Sequence, residues 1–304
     1  MLAIFQSIAP IFLIIVVGYV FKRSGFPGDG FWQPAERLAY YVLLPVLIVR
    51  NLADANLAGI QVGAYVLVIV VVAAAMTGLT LALRPVLRVD GAAYSSILQG
   101  AIRLNSYVGF GVAEALWGAH GVVLVALFIA IMMPIVNVIS IGAIAAYAHG
   151  GRPRWGRVPA EIVKNPIIIA CAVGAAMNAL HLGLPGWLGG LLAIFGRTAL
   201  PIALLCVGAG LMLGAVRVQA GALAIACALK LAVMPALTLG AAHLAGLSGL
   251  SFVVAVVFSA MPSSPASYVL ARQLGGDAPL MAGILTAQTA FAALTVPAIV
   301  AWLT

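Results

Sequence analysis

Charge is what this sequence has least of. Only 7% of its 304 residues are charged, and just seven of them are acidic, whereas about a quarter of a soluble domain is charged. No interval is polar and long enough to make a soluble domain; the longest, roughly 148–164, is a loop. Asp29, Glu36, Asp54, Asp90, Glu161 and Asp277 fall in loops or at the edges of apolar runs, and Glu114 alone is embedded. Paired carboxylates, a metal-spaced His/Cys cluster and an activated nucleophile are all missing, which argues against a membrane enzyme. Cys171, Cys206 and Cys227 lie inside apolar runs and read as small packing residues. His120, His149, His181 and His243 fall at loop ends, which excludes a buried histidine relay. No metal and no cofactor is expected.

What the sequence has is apolar length. Hydrophobic residues make up 64% of the chain, and the mean hydropathy is +1.20. A helix that crosses a bilayer needs about 20 such residues. Runs of that kind fall near 3–21, 36–52, 61–83, 92–117, 121–147, 161–181, 188–214, 219–244, 249–272 and 279–303. The expected fold is an all-α polytopic membrane protein of ten transmembrane helices. The first run follows Met1 without a basic leader, so it is expected to be a span and not a cleaved signal peptide.

The net charge of +8 is spread unevenly. Odd-numbered connections hold eleven Lys and Arg residues, among them Lys22, Arg37, Arg84 and the Arg152–Arg157 cluster, while even-numbered connections hold only Arg50. The positive-inside rule then puts the odd connections in the cytoplasm and both termini on the periplasmic face of an inner membrane. The same asymmetry accounts for the basic charge without a nucleic-acid partner.

Two spans carry residues that do not suit an uninterrupted membrane helix: Arg103-Leu104-Asn105-Ser106-Tyr107-Val108-Gly109 and Met261-Pro262-Ser263-Ser264-Pro265-Ala266-Ser267. An unpaired backbone group in hydrocarbon costs several kcal/mol, so irregular chain survives there only under protein or beside a wet cavity. A shift of 158 residues sets Ser106 over Ser264, Ala113 over Ala271, Leu116 over Leu274 and Gly118 over Gly276. Near that shift, Ala9-Pro10-Ile11 falls over Asn165-Pro166-Ile167. These matches support two five-helix repeats, 1–150 and 151–304, inverted because five is odd. Paired breaks of this kind point to the binding site of a secondary transporter.

Over essentially its whole length the chain resembles the auxin efflux carrier family, the bacterial relatives of the plant PIN-FORMED transporters. The matching features are the ten spans, the central basic loop, Tyr41-Val42-Leu43-Leu44-Pro45, the Arg103-Leu104-Asn105 break, Lys230 with Pro235, and the break at Pro262 and Pro265. The resemblance implies a scaffold of spans 1, 2, 6 and 7 and a transport domain of spans 3–5 and 8–10. It also implies that the fourth and ninth transmembrane helices are broken and cross at mid-membrane. An organic-anion substrate, such as a dicarboxylate or an indole acid, and a homodimer through the scaffold come with it. Asn105 matches the family's substrate-contacting crossover asparagine, whereas the second break has Ser263 and Ser264 in place of an asparagine.

The residues themselves allow more than one role. Asn105 can donate to a carboxylate beside a half-helix N-terminus or simply cap that helix; substrate contact is favoured. Ser106, Ser263 and Ser264 are small donors for the site or for interhelical bonds. Gly109 permits close approach, and Pro262 and Pro265 force the unwinding. Arg103 can bind substrate, pair with Glu114 or cap freed carbonyls, and capping is preferred over direct contact. Asn137 and Gln288, polar groups inside spans, are site candidates with helix–helix bonding as the alternative. Tyr41 beside Pro45 is expected to face the site. Lys230, embedded with no acid at its depth in its own span or the third, reads as a fixed cation at the half-helix ends; its alternative is snorkelling. A small-anion carrier thus leads over a cation/proton antiporter of similar fold, which needs buried carboxylates, and over an enzyme.

The charge asymmetry makes a direct prediction. In intact cells an impermeant thiol reagent labels Thr304→Cys and spares Gly151→Cys; the opposite pattern reverses the orientation.

Overall fold

The computed structural model describes residues 2–57, 60–148, 163–217 and 219–304. Among them the chain is helical, with no strand. Arg152, Arg154, Arg157, Glu161, His149, Gly151 and the boundary between the expected halves lie outside the described residues.

The helices are α1 (Leu2–Arg23), α2 (Asp29–Leu38), α3 (Leu44–Ala53), α4 (Val62–Leu83), α5 (Gly91–Ile102), α6 (Ser106–Tyr147), α7 (Pro166–Ala179) and α8 (Gly186–Ala209). They continue with α9 (Ala220–Ala228), α10 (Met234–Leu244), α11 (Gly249–Ser259), α12 (Ala266–Leu274) and α13 (Ala278–Leu303). Among the described residues six stretches are long and apolar enough to cross a membrane: Ala3–Arg23, Val62–Leu83, Gly91–Tyr147, Gly186–Ala209, Ala220–Leu244 and Ala278–Leu303. Gly91–Tyr147 spans 57 residues, about 85 Å if it were one straight helix. A bilayer core is about 30 Å thick. Gly118 divides the stretch, with φ 57 and ψ −146, a conformation open to glycine and costly for other residues.

Two π-turns have a common cause. Ala39–Leu43 links α2 to α3, and Leu229–Val233 links α9 to α10. Each precedes a helix with a proline in its first turn, Pro45 and Pro235. A proline has no N–H for the carbonyl four residues earlier, so Tyr41 and Leu231 lose that α-helical bond and the local pitch widens. The sequence runs start the second span near residue 36; the structure starts its helix at Asp29, which brings Gln33, Glu36 and Arg37 onto the same rod as Tyr40. At its start, the hydrogen bond and charge of Lys22, 2.6 Å away, hold the Asp29 carboxyl below its usual pKa.

Packing is closest where side chains are smallest. α1 runs against α8, and Gly18 and Gly208 let the two backbones touch: a Cβ at Gly18 would collide with the Leu205 carbonyl, and one at Gly208 with that of Ile15. α3 lies on α7, where the Asn178 amide donates to the carbonyls of Leu52 (3.1 Å), Ala53 (3.0 Å) and Ala55 (2.8 Å), which end α3. In turn α4 packs on α6 and α10, α5 on α6, α9 and α13, and α11 on α10 and α6, while α6 also touches α1, α3, α7 and α8.

Gly208→Val must push backbone from backbone, so it should destabilise by at least about 1–3 kcal/mol. Gly240, in α10, has nothing within 4 Å of a Cβ, and Gly240→Ala should be neutral or stabilising by about 0.5–1 kcal/mol. Thermal unfolding of the two variants in one detergent measures the contrast.

Candidate functional site

The site is built from two places where a helix stops inside the protein. α5 ends at Ile102, and Arg103 (φ −76, ψ 153) and Asn105 (φ −83, ψ 101) are extended before α6 begins. α11 ends at Ser259, and α12 starts at Ala266. Pro262 and Pro265 have no N–H for the carbonyls of Phe258 and Met261, so α-helical bonding cannot run through 260–265. Instead Ala260 and Met261 close the last turn by bonding three residues back, to Val257 and Phe258, at 3.1 Å each.

The freed backbone groups find partners in the opposite break. The Asn105 N–H donates to the Pro262 carbonyl at 2.7 Å. The Ser263 hydroxyl donates to the Gly100 carbonyl at 2.7 Å, the acceptor that Leu104 would use if α5 continued. Gln288 of α13 ties the remaining ends: its Oε1 accepts from the Ser263 N–H at 2.9 Å, and its Nε2 donates to the carbonyls of Gly100 and Ala226, each at 3.0 Å. Ser263 and Gln288 are both 0% exposed. Asn105, 1% exposed, caps α6 by accepting from the amides of Tyr107 (3.0 Å) and Val108 (3.2 Å). Its Nδ2 has no hydrogen-bond partner among the described residues.

A cavity of about 510 Å³ opens beside this junction. Arg103, Ser106, Ser264 and Pro265 bring both breaks to its wall, and Tyr41 and Asn137 also line it. Arg103, 5% exposed, reaches across to α6, where its Nη1 donates to Asn137 Oδ1 at 3.0 Å and to Ser140 Oγ at 3.4 Å. The sequence favours carbonyl capping for Arg103 over substrate or Glu114; in the structure its Nη1 bonds these side chains, while Glu114 has Arg50 for a neighbour. Asn105, Ser263, Gln288, Gly109, Pro262, Pro45 and Lys230 do not line the cavity.

Several lining residues escaped the sequence reading: Gln33, Glu36, Arg37, Tyr40, Tyr107, Asn165 and Gln273. A signal for the first four was present, since 33, 36, 37 and 40 are spaced as one face of a helix; placing that segment at a loop edge concealed it. Asn165 behaves as Asn105 does, capping a helix through the amides of Ile167 (3.0 Å) and Ile168 (3.3 Å).

Around Gly109 the protein is packed. A Cβ at Gly109 would overlap the Phe258 ring. Phe258 stacks edge-on against Phe128 at 4.9 Å, and Phe128 against Tyr65 at 5.9 Å, all three buried. Lys230, 0% exposed, lies one turn beyond Ala226, and its Nζ is 3.0 Å from the Met234 thioether.

Replacing Gln288 with Leu leaves the Ser263 N–H and the Gly100 carbonyl buried with fewer partners. At about 1–3 kcal/mol for each unsatisfied group, Gln288→Leu should destabilise by about 3 kcal/mol or more, read as a lower midpoint of thermal unfolding.

A family model described as membrane transport protein matches residues 155–300. An "uncharacterized transporter" of Methanothermobacter thermautotrophicus (strain Delta H) is 24% identical over 295 residues, covering 96% of this chain and 96% of that protein. The chain is thus similar to membrane transport proteins over the part that holds α11, α12 and the second break, and to an uncharacterized transporter along its full length.

Proposed function

We propose that the protein is a secondary transporter of a small organic anion, a dicarboxylate or an auxin-like indole carboxylate, working by alternating access at a mid-membrane crossover. The observation that carries this reading is the cavity itself. It reaches both breaks from one end of the molecule, and the buried Phe258–Phe128–Tyr65 stack packs over Gly109 beside the junction. Gln33, Glu36 and Arg37 follow the first connection, Gln273 precedes the ninth, and Asn165 follows the fifth, so the opening faces the odd connections. With those in the cytoplasm this is an inward-facing form, with both termini periplasmic.

In this reading there are ten crossings in two inverted repeats. α1, α2–α3, α7 and α8 form a scaffold, also the surface of a homodimer, and the other helices move against it. The close packing of α1 on α8 and of α3 on α7 supports that division, with α6 and α13 packed on both groups. An entering carboxylate meets Arg103, Ser106 and Asn137 in the cavity. Asn105 supplies its free Nδ2 donor as the site rearranges, next to the positive end of α6. Lys230 serves as a fixed cation at the half-helix ends, where it makes a bound sodium ion unnecessary.

The test is uptake of labelled carboxylates into proteoliposomes, preceded by a thermal-shift screen, since a ligand of the folded state raises its stability. Uptake should proceed without a sodium gradient. Asn105→Asp keeps the capping oxygen but exchanges a donor for a negative charge, so it should cut uptake roughly tenfold or more, with the melting temperature lowered by the buried charge but the protein still folded. Unchanged uptake would remove Asn105 from the site. Lys230→Met should impair uptake and Lys230→Arg less so; strictly sodium-driven uptake, or a wild-type Lys230→Met, dismisses the fixed cation.

A further inference from the structure

The cavity wall holds three charged side chains: Arg103 at the break, and Glu36 and Arg37 on α2. Glu36 is half-buried, and among the described residues no hydrogen bond or ion pair engages it. The groups around it are Arg37, Tyr40 and Tyr41 on its own rod, Tyr107 from α6 and Cys206 from α8, with Arg103 and Gln273 elsewhere on the same wall. None of these is a second carboxylate. The rest of the wall includes Met133, Ile141, Val269 and Leu270, a surface for an apolar body and not for a second anionic group.

We propose that Glu36 is the charge filter of this cavity, selecting an anion with one negative charge over an anion of the same skeleton with two. The inference rests on the anion-carrier reading and narrows its substrate class to monocarboxylates with an apolar body. With Glu36 ionised the wall carries one net positive charge, which a monoanion neutralises. A dianion leaves an excess negative charge: with one carboxylate at Arg103, the other meets the apolar wall or Arg37, whose neighbour in the chain is Glu36. Burying a charge without a partner is strongly unfavourable, and like charges a few Å apart in a partly dry cavity repel strongly. Removing the Glu36 charge raises the wall to two net positive charges and reverses the preference. The unpaired carboxylate oxygens also accept a hydrogen bond from an N–H or O–H at the far end of a substrate, which a second carboxylate cannot offer.

The experiment compares 3-phenylpropionate with 3-(4-carboxyphenyl)propionate on purified protein at pH 8, by isothermal titration and by competition for uptake in proteoliposomes. Wild type should bind the monoanion roughly tenfold or more tightly than the dianion. Glu36→Gln, close in shape, should shift that ratio by roughly tenfold toward the dianion, and Glu36→Asp should retain the wild-type order. A wild-type preference for the dianion, or a ratio within about twofold of wild type in a folded, binding-competent Glu36→Gln, overturns the proposal. If no carboxylate in a wider panel binds wild type, the anion-carrier reading itself falls, and the filter falls with it.

Discussion

A backbone amide or carbonyl inside a membrane protein has no water to turn to, and that constraint governs the centre of this molecule. Two helices stop there, and each stop frees groups that would cost several kcal/mol unpaired. The structure meets the cost reciprocally: Asn105 N–H to Pro262 carbonyl, Ser263 hydroxyl to Gly100 carbonyl, and Gln288 to three backbone groups at once. Neither break can be satisfied in this way without the other. The junction therefore ties α5, α6, α9, α11 and α13 into one bonded unit, and the cavity sits on its edge.

Small side chains set how closely the surrounding helices approach. Gly109 lies under the Phe258 ring on the packed side, and Gly18 and Gly208 bring α1 onto α8. Larger residues at these positions would hold the helices apart and leave gaps, and a void forfeits dispersion contacts on its lining. The packed side is aromatic and dry, whereas the open side is lined by amides, hydroxyls, tyrosines and three charges.

Charge at depth is expensive, so the few deep charges carry information. Arg103 is offset by Asn137 and Ser140 from the second half of α6, which links the break to the cavity wall. Lys230 is enclosed with a thioether as its close contact, on a π-turn that Pro235 imposes. Glu36 faces the open cavity, where the solute or solvent must answer its charge.

The membrane class, the apolar runs and the location of both breaks were legible in the sequence, because hydropathy, proline and embedded polar residues act locally. Arg103, Ser106, Asn137, Ser264 and Tyr41 were also legible as site candidates, and all five line the cavity. The partners of the breaks were not: that Gln288 bonds Gly100 and Ala226, residues 188 and 62 positions away, follows from helix packing that no local pattern encodes. The polar face of α2 was not legible, because a segment of mixed character beside a loop becomes a cavity wall only when its helix packs on α8 and shares a cavity with residues of α6 and α12. The sequence by itself determined where the chain must leave helical bonding, since proline has no N–H to give. Only the tertiary structure decided which distant groups take up the freed bonds, and so which side chains remain free to meet a solute.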